Sequence, residues 1–137
     1  MPDIACVNGR FGPLADAVVS VEDRGFQFGD GVYEVIRTYR GRPFAVDEHL
    51  ARLERRAQAL QLSLGPSKAQ WVALIEEGLR LSGLPETKIY LQITRGQAPR
   101  DHPFPPSLST TAVLTFRELH SLDVSVRQAG VPAILLE

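Results

Sequence analysis

Four side chains in this sequence carry the chemistry needed to grip an anion. Arg52 has a permanent planar charge whose forked donors suit two oxygens of a phosphate, and it falls within a helical repeat that holds it more rigidly than a loop would. Tyr33 follows a stretch with three glycines, Gly25, Gly29 and Gly31, where the backbone can bend sharply and a phenol can reach into a cleft. Arg100 and His102 stand two residues apart between Pro99 and Pro103, so a charge and an imidazole could meet one carboxylate from a stiffened loop. Each also has an ordinary reading: a solvated helix arginine, a core tyrosine with a satisfied hydroxyl, and a polar surface loop.

The elements that must position these groups follow from periodicity. Residues 4–7 and 17–21 are expected as strands, separated by the turn formers Asn8-Gly9 and Gly12-Pro13. A glycine-rich loop over 25–31 leads into a strand from Val32 to Tyr39, which turns at Arg40-Gly41-Arg42-Pro43. Asp47 is the expected N-cap of a helix whose apolar face is Leu50, Leu53, Ala57 and Leu60; His49, Arg52, Glu54 and Arg55 take its other faces. Ser67-Lys68-Ala69-Gln70 has the form of a capping box and opens a second helix through Trp71, Leu74, Ile75 and Leu79 towards Gly83. Strands are predicted over 88–94 and 111–116, joined by a proline-rich loop over 96–106. This order predicts an α+β domain: an antiparallel sheet with two amphipathic helices packed on one side.

Composition bounds the partners. The 137 residues can bury one core. Fifteen basic against sixteen acidic residues give a net charge of -1, so no broad field points to nucleic acid or an anionic membrane. Cys6 is alone, which excludes an internal disulfide and a thiolate metal cluster, and no metal site is expected. With no basic, apolar leader and no apolar run long enough to span a bilayer, the expectation is a cytoplasmic protein.

Four motifs together give the chain a family resemblance. Glu22-Asp23-Arg24-Gly25-Phe26-Gln27-Phe28-Gly29-Asp30-Gly31-Val32-Tyr33-Glu34-Val35 resembles the signature loop and strand of fold-type IV (class IV) pyridoxal-phosphate enzymes. Glu48-His49-Leu50-Ala51-Arg52-Leu53 is similar to the helix whose arginine binds the cofactor phosphate. Ile89 to Gly96 resembles the family's central strand, and Arg100-Asp101-His102 resembles the carboxylate trap of the D-amino-acid aminotransferase branch. The resemblance covers nearly the whole chain but about half of a family member. It implies pyridoxal 5'-phosphate as cofactor with Arg52 on its phosphate, and Tyr33, Arg100 and His102 as substrate-binding residues. It implies a D-amino acid such as D-alanine and a 2-oxo acid such as 2-oxoglutarate as substrates. It also implies a homodimer, because in the family the arginine loop reaches the neighbouring subunit's site. His49 and His120 have no such support and read as structural or solvent-facing.

In the family, the Schiff-base lysine comes from the second domain. Lys68, in the first turn of the second helix, and Lys88, at the head of a strand, are in neither equivalent setting. No catalytic residue is therefore assigned, and the 137-residue chain by itself is expected to be inactive. Residues 1–118 read as the N-terminal α+β domain and 119–121 as an interdomain linker. Residues 122–137, with extended structure expected at 124–126 and 131–136, read as the truncated start of a C-terminal domain. The rival readings are the corresponding half of a branched-chain aminotransferase or aminodeoxychorismate lyase, both disfavoured by Arg100-Asp101-His102. A non-enzymatic half-domain acting in dimerisation or partner binding is a third.

Overall fold

The computed structural model describes residues 3–63 and 65–136. Six strands form one antiparallel sheet: β1 (Ile4–Val7), β2 (Arg10–Pro13), β3 (Gly31–Tyr39), β4 (Arg42–Pro43), β5 (Thr87–Thr94) and β6 (Thr111–Glu118), in the order β2-β1-β6-β5-β3-β4. Among the described residues four α-helices accompany it: α1 (Arg24–Phe28), α2 (Val46–Ala59), α3 (Lys68–Ser82) and α4 (Val124–Ala129). The expected α+β architecture is what the chain adopts, with α2 and α3 laid over one face of the sheet.

Strand alternation decides which face carries what. In β3, Val32, Glu34, Ile36 and Thr38 are buried under the helices, whereas Tyr33, Val35 and Tyr39 are exposed. The register places Val32 opposite Ile93, Glu34 opposite Leu91 and Ile36 opposite Ile89, so the buried parity is shared across strands. Leu50, Leu53 and Ala57 of α2 and Trp71 and Ile75 of α3 close the core against Leu91, Leu114 and Phe116. Gly78 lets α3 come down onto the sheet: a methyl group at that position would overlap the ring of Phe116. The capping box of Ser67 and Gln70 forms as the sequence predicts.

Several local expectations are corrected. Residues 17–20 form no strand: a 3-10 turn at Leu14–Asp16 carries the chain off the sheet edge, and Val18 and Val21 are exposed. Their apolar run lacks the strict alternation that would have given it a covered face. Part of the glycine-rich stretch is helical, because the Asp23 carboxylate accepts from the Gly25 N–H at 2.8 Å and Gly29 (φ 65°) ends the turn. Ala45 (φ 52°), rather than Asp47, caps α2; Asp47 lies in the first turn, 2.8 Å from Lys68 Nζ. Leu60 is an exposed C-cap, and Leu62 takes its place in the core. Residues 124–126 are helical, because Asp123 accepts hydrogen bonds from the N–H and hydroxyl of Ser125, each at 2.8 Å. Residues 131–136, expected as extended structure, are exposed and pair with no strand among the described residues; Glu137, the last residue of the expected domain start, lies outside them.

Candidate active site

Arg52 leaves α2 one position before Leu53 and reaches the edge of the buried surface, where Glu34 of β3 points up from the sheet. The Glu34 carboxylate is 1% exposed and accepts from Arg52 Nε (2.6 Å, Oε1) and Nη2 (2.6 Å, Oε2). His49, one helical turn before Arg52, brings Nδ1 to 2.8 Å from Glu34 Oε2. A carboxylate can only accept, so the imidazole proton belongs on Nδ1, and the 3.3 Å approach of Arg52 Nη2 to that nitrogen is a contact rather than a hydrogen bond. Arg56 Nη1 completes the cluster at 3.4 Å from Glu34 Oε1. The Arg52 guanidinium lowers the Glu34 pKa from its ordinary value against the pull of burial, with His49 assisting. Two guanidiniums around one carboxylate leave a net positive charge that faces solvent: the Arg52 side chain is 47% exposed and its Nη1 has no bond to Glu34.

A second cluster lies at the Gly31 end of β3. Arg24 and Arg95, both buried, share the Asp30 carboxylate: Arg24 Nε is 2.8 Å and Arg95 Nε 2.7 Å from Oδ2, and Arg95 Nη2 is 3.0 Å from Oδ1. Burial raises the Asp30 pKa, but the two arginines outweigh it and leave the carboxyl below its ordinary range. The remaining guanidinium donors go to main-chain carbonyls. Arg95 donates to Leu60 (2.8 Å) and Gln61 (3.0 Å); Arg24 donates to Asp101 (2.7 Å) and His102 (3.4 Å). Aromatic rings cover the cations, with Arg95 3.8 Å over Phe104 and Arg24 4.6 Å over Phe28.

The residues marked by the sequence therefore fall into three places. Arg100 and His102 are brought together on the Phe28 ring, at 5.0 Å and 5.7 Å between centres. Tyr33 stands on the open face of the sheet, stacked at 5.5 Å on Tyr90, whose hydroxyl donates to Gln92. Arg52 is on the opposite, helix-covered face with Glu34. Among the described residues, no hydrogen bond or ring contact joins Tyr33 to Arg100 or His102. Of the two lysines, Lys68 is exposed and paired with Asp47, which raises its pKa and favours the charged form; Lys88 is exposed on β5.

Glu34, His49, Arg24, Asp30 and Arg95 were not singled out by sequence reasoning. Glu34 had a legible signal, a carboxylate at the same strand parity as Val32 and Ile36. His49, read as structural or solvent-facing, is a partner of that carboxylate. Arg24 and Arg95 each precede a glycine, and nothing in their spacing shows that they converge on Asp30.

The model of the family described as amino-transferase class IV matches residues 31–137. The chain belongs to that family. Among curated relatives of the class IV chain, the D-alanine aminotransferase of Staphylococcus haemolyticus is 37% identical over 131 residues, covering 96% of this chain and 46% of the relative. That of Bacillus licheniformis is 43% identical over 127 residues, covering 93% and 44%. The chain thus spans less than half the length of these relatives. Among solved structures, the branched-chain amino acid aminotransferase of Escherichia coli aligns with a TM-score of 0.80 at 24% identity, over 87% of this chain and 40% of that one. The 4-amino-4-deoxychorismate lyase of Pseudomonas aeruginosa aligns with a TM-score of 0.75 at 28% identity, over 93% and 44%. The class IV match includes Tyr33, Arg52, Arg100 and His102, whereas Arg24 and Asp30 precede it. No helix among the described residues is long and apolar enough to cross a membrane.

Proposed function

We propose that this chain is the N-terminal, ligand-gripping half of a pyridoxal-phosphate transaminase that exchanges an amino group between a D-amino acid, such as D-alanine, and a 2-oxo acid, such as 2-oxoglutarate. The observation that carries this reading is the Arg52 guanidinium, immobilised on Glu34 while its Nη1 edge and a surplus positive charge face outwards. The donor set fits a phosphate: two cationic groups stand around one carboxylate, and the fork is oriented by a buried partner. Arg52 would hold the cofactor phosphate, and Arg56 would add to the local field. When bound, the cofactor supplies the electron-withdrawing ring that lets an amino acid lose its α-proton and its amino group.

Tyr33, Arg100 and His102 would hold the substrate carboxylate, the arginine by charge and the phenol and imidazole by hydrogen bonds. Their separation within one chain supports a homodimer with shared sites, in which the loop of one protomer meets Tyr33 of its partner. The D-alanine aminotransferases among the relatives favour the D-amino-acid reading, and Arg100-Asp101-His102 argues against the branched-chain and lyase readings. Neither lysine is in a setting suited to the Schiff base, so the 137 residues alone would be inactive. Residues 119–121 would link to a second domain that starts at 122, in a cytoplasmic enzyme.

Two measurements test the proposal. Incubation of the 137-residue chain with pyridoxal phosphate and borohydride is expected to leave no stoichiometric adduct; one adduct per chain would refute the inactivity of this half. In the full-length holoenzyme, D-alanine with 2-oxoglutarate is expected to be turned over. Activity confined to L-valine or L-leucine would move the enzyme to the branched-chain type.

A further inference from the structure

Arg24 is 2% exposed, and its guanidinium donates within the chain. Its Nε takes Asp30, its Nη1 takes the carbonyl of Asp101 at 2.7 Å, and its Nη2 approaches the carbonyl of His102 at 3.4 Å. These two carbonyls belong to the residues immediately after Arg100. The helix that carries Arg24 also carries Phe28, whose ring lies against Arg24, Arg100 and His102 at 4.6, 5.0 and 5.7 Å. One five-residue helix therefore holds the loop by its main chain and by its side chains. The helix is itself pinned: Asp23 caps it and accepts from Thr111 Oγ1 of β6 at 2.6 Å, while the Arg24 N–H donates to the Gly96 carbonyl at 2.9 Å. A buried guanidinium loses its hydration, and here it regains hydrogen bonds by donating to the Asp30 carboxylate, itself held by Arg95, and to two carbonyls of the loop. Exposed residues 99–104 would otherwise sample many conformations, since among the described residues they pair with no strand.

We propose that Arg24 is a positioning residue for carboxylate recognition: seated on α1 with Phe28 beside it, it fixes the Asp101-His102 main chain and so presents Arg100 and His102 in one geometry. The inference rests on the reading of Arg100 and His102 as the carboxylate grip. It adds a residue that touches no substrate and acts through the loop. A preorganised grip avoids the entropy of ordering two side chains and a loop on binding, so its loss appears in KM more than in kcat.

The experiment is steady-state kinetics of the full-length holoenzyme with D-alanine and 2-oxoglutarate, comparing Arg24→Met, Arg100→Gln and the double variant, with pyridoxal phosphate affinity measured by spectral titration. Arg24→Met is expected to raise KM for both substrates about tenfold, with kcat changed less than threefold and cofactor affinity unchanged. The double variant is expected to be no worse than Arg100→Gln alone, because the two act as one unit. A wild-type KM in Arg24→Met beside a raised KM in Arg100→Gln overturns the positioning role and leaves the carboxylate reading standing. A wild-type KM in Arg100→Gln overturns both. Additive effects in the double variant also overturn the positioning role, since Arg24 would then act elsewhere. Should Arg24→Met fail to fold, Arg24→Lys, which keeps a cation beside Asp30 but loses the forked donors to the Asp101 and His102 carbonyls, carries the same test and the same expected KM rise.

Discussion

Arg52 lies side-on against Glu34, with Nε and Nη2 each 2.6 Å from a different carboxylate oxygen. The pair joins a helix to a strand and combines a buried acid with a half-exposed base. Because the arginine stays hydrated on its outer edge, the pair orients more than it stabilises.

Glu34→Gln is accordingly expected to cost about 1 kcal/mol at pH 7, in the range of ion pairs whose basic partner is exposed. The pH dependence gives the sharper test. Glu34 has a depressed pKa in the folded chain, so its contribution is present above the ordinary glutamate value of about 4.3 and is lost as pH falls through the depressed one. Urea unfolding at a series of pH values should show the gap between wild type and Glu34→Gln closing on acidification. A gap that widens below pH 4 would contradict the sign.

Asp30→Asn should be far more damaging. Arg24 and Arg95 are both buried and share this carboxylate, so its neutralisation leaves two guanidiniums without a counter-charge. The expected loss is roughly 3–5 kcal/mol, as for other buried pairs broken from one side. Thermal melts that place Asp30→Asn level with Glu34→Gln would show that the carbonyls and rings alone satisfy the two cations.

Gly78→Ala tests the approach of α3 to the sheet. In an exposed helix the change gains about 1 kcal/mol of propensity. Here the new methyl group meets the buried Phe116 ring, and overpacking is expected to turn that gain into a net loss of about 1–3 kcal/mol. Denaturant titration gives the sign directly, and a stabilised variant would mean that the helix can lift without penalty.

Cys6 is fully buried, and burial raises its thiol pKa. In the native chain it should react with a thiol reagent only as fast as the protein opens, and at once in denaturant. Rapid labelling of the native chain would place this strand in a region that opens locally.

The strands β3, β5 and β6 and the inner faces of α2 and α3 were legible because alternation and three-to-four spacing are set by burial on one side. Arg52, Tyr33, Arg100 and His102, the ligand residues of the proposal, stand out only through their motifs, and the contacts that orient them have no signal in the sequence. Arg24, Asp30 and Arg95 are far apart in sequence and meet through tertiary folding, which leaves no periodic trace. The Asp23-capped helix was hidden by its own glycines, and residues 17–21 and 124–126 were misread because a few β-branched residues do not make a strand without a neighbour to pair with.

Tyr33 and Glu34 are consecutive, and the pleat sends them to opposite sides of the sheet. Chemistry on one side can be retuned by substituting alternate residues of β3 without altering the side chains that hold Arg52. A one-residue insertion within the strand would exchange the two sides and ruin both at once. The strand therefore tolerates substitution and forbids changes of length, whereas in the loop over 96–106 the stretch up to Phe104 is held by Arg24 and Arg95 and only the residues beyond it can change in length without disturbing that hold. Divergence in substrate preference among descendants of this chain should accumulate there.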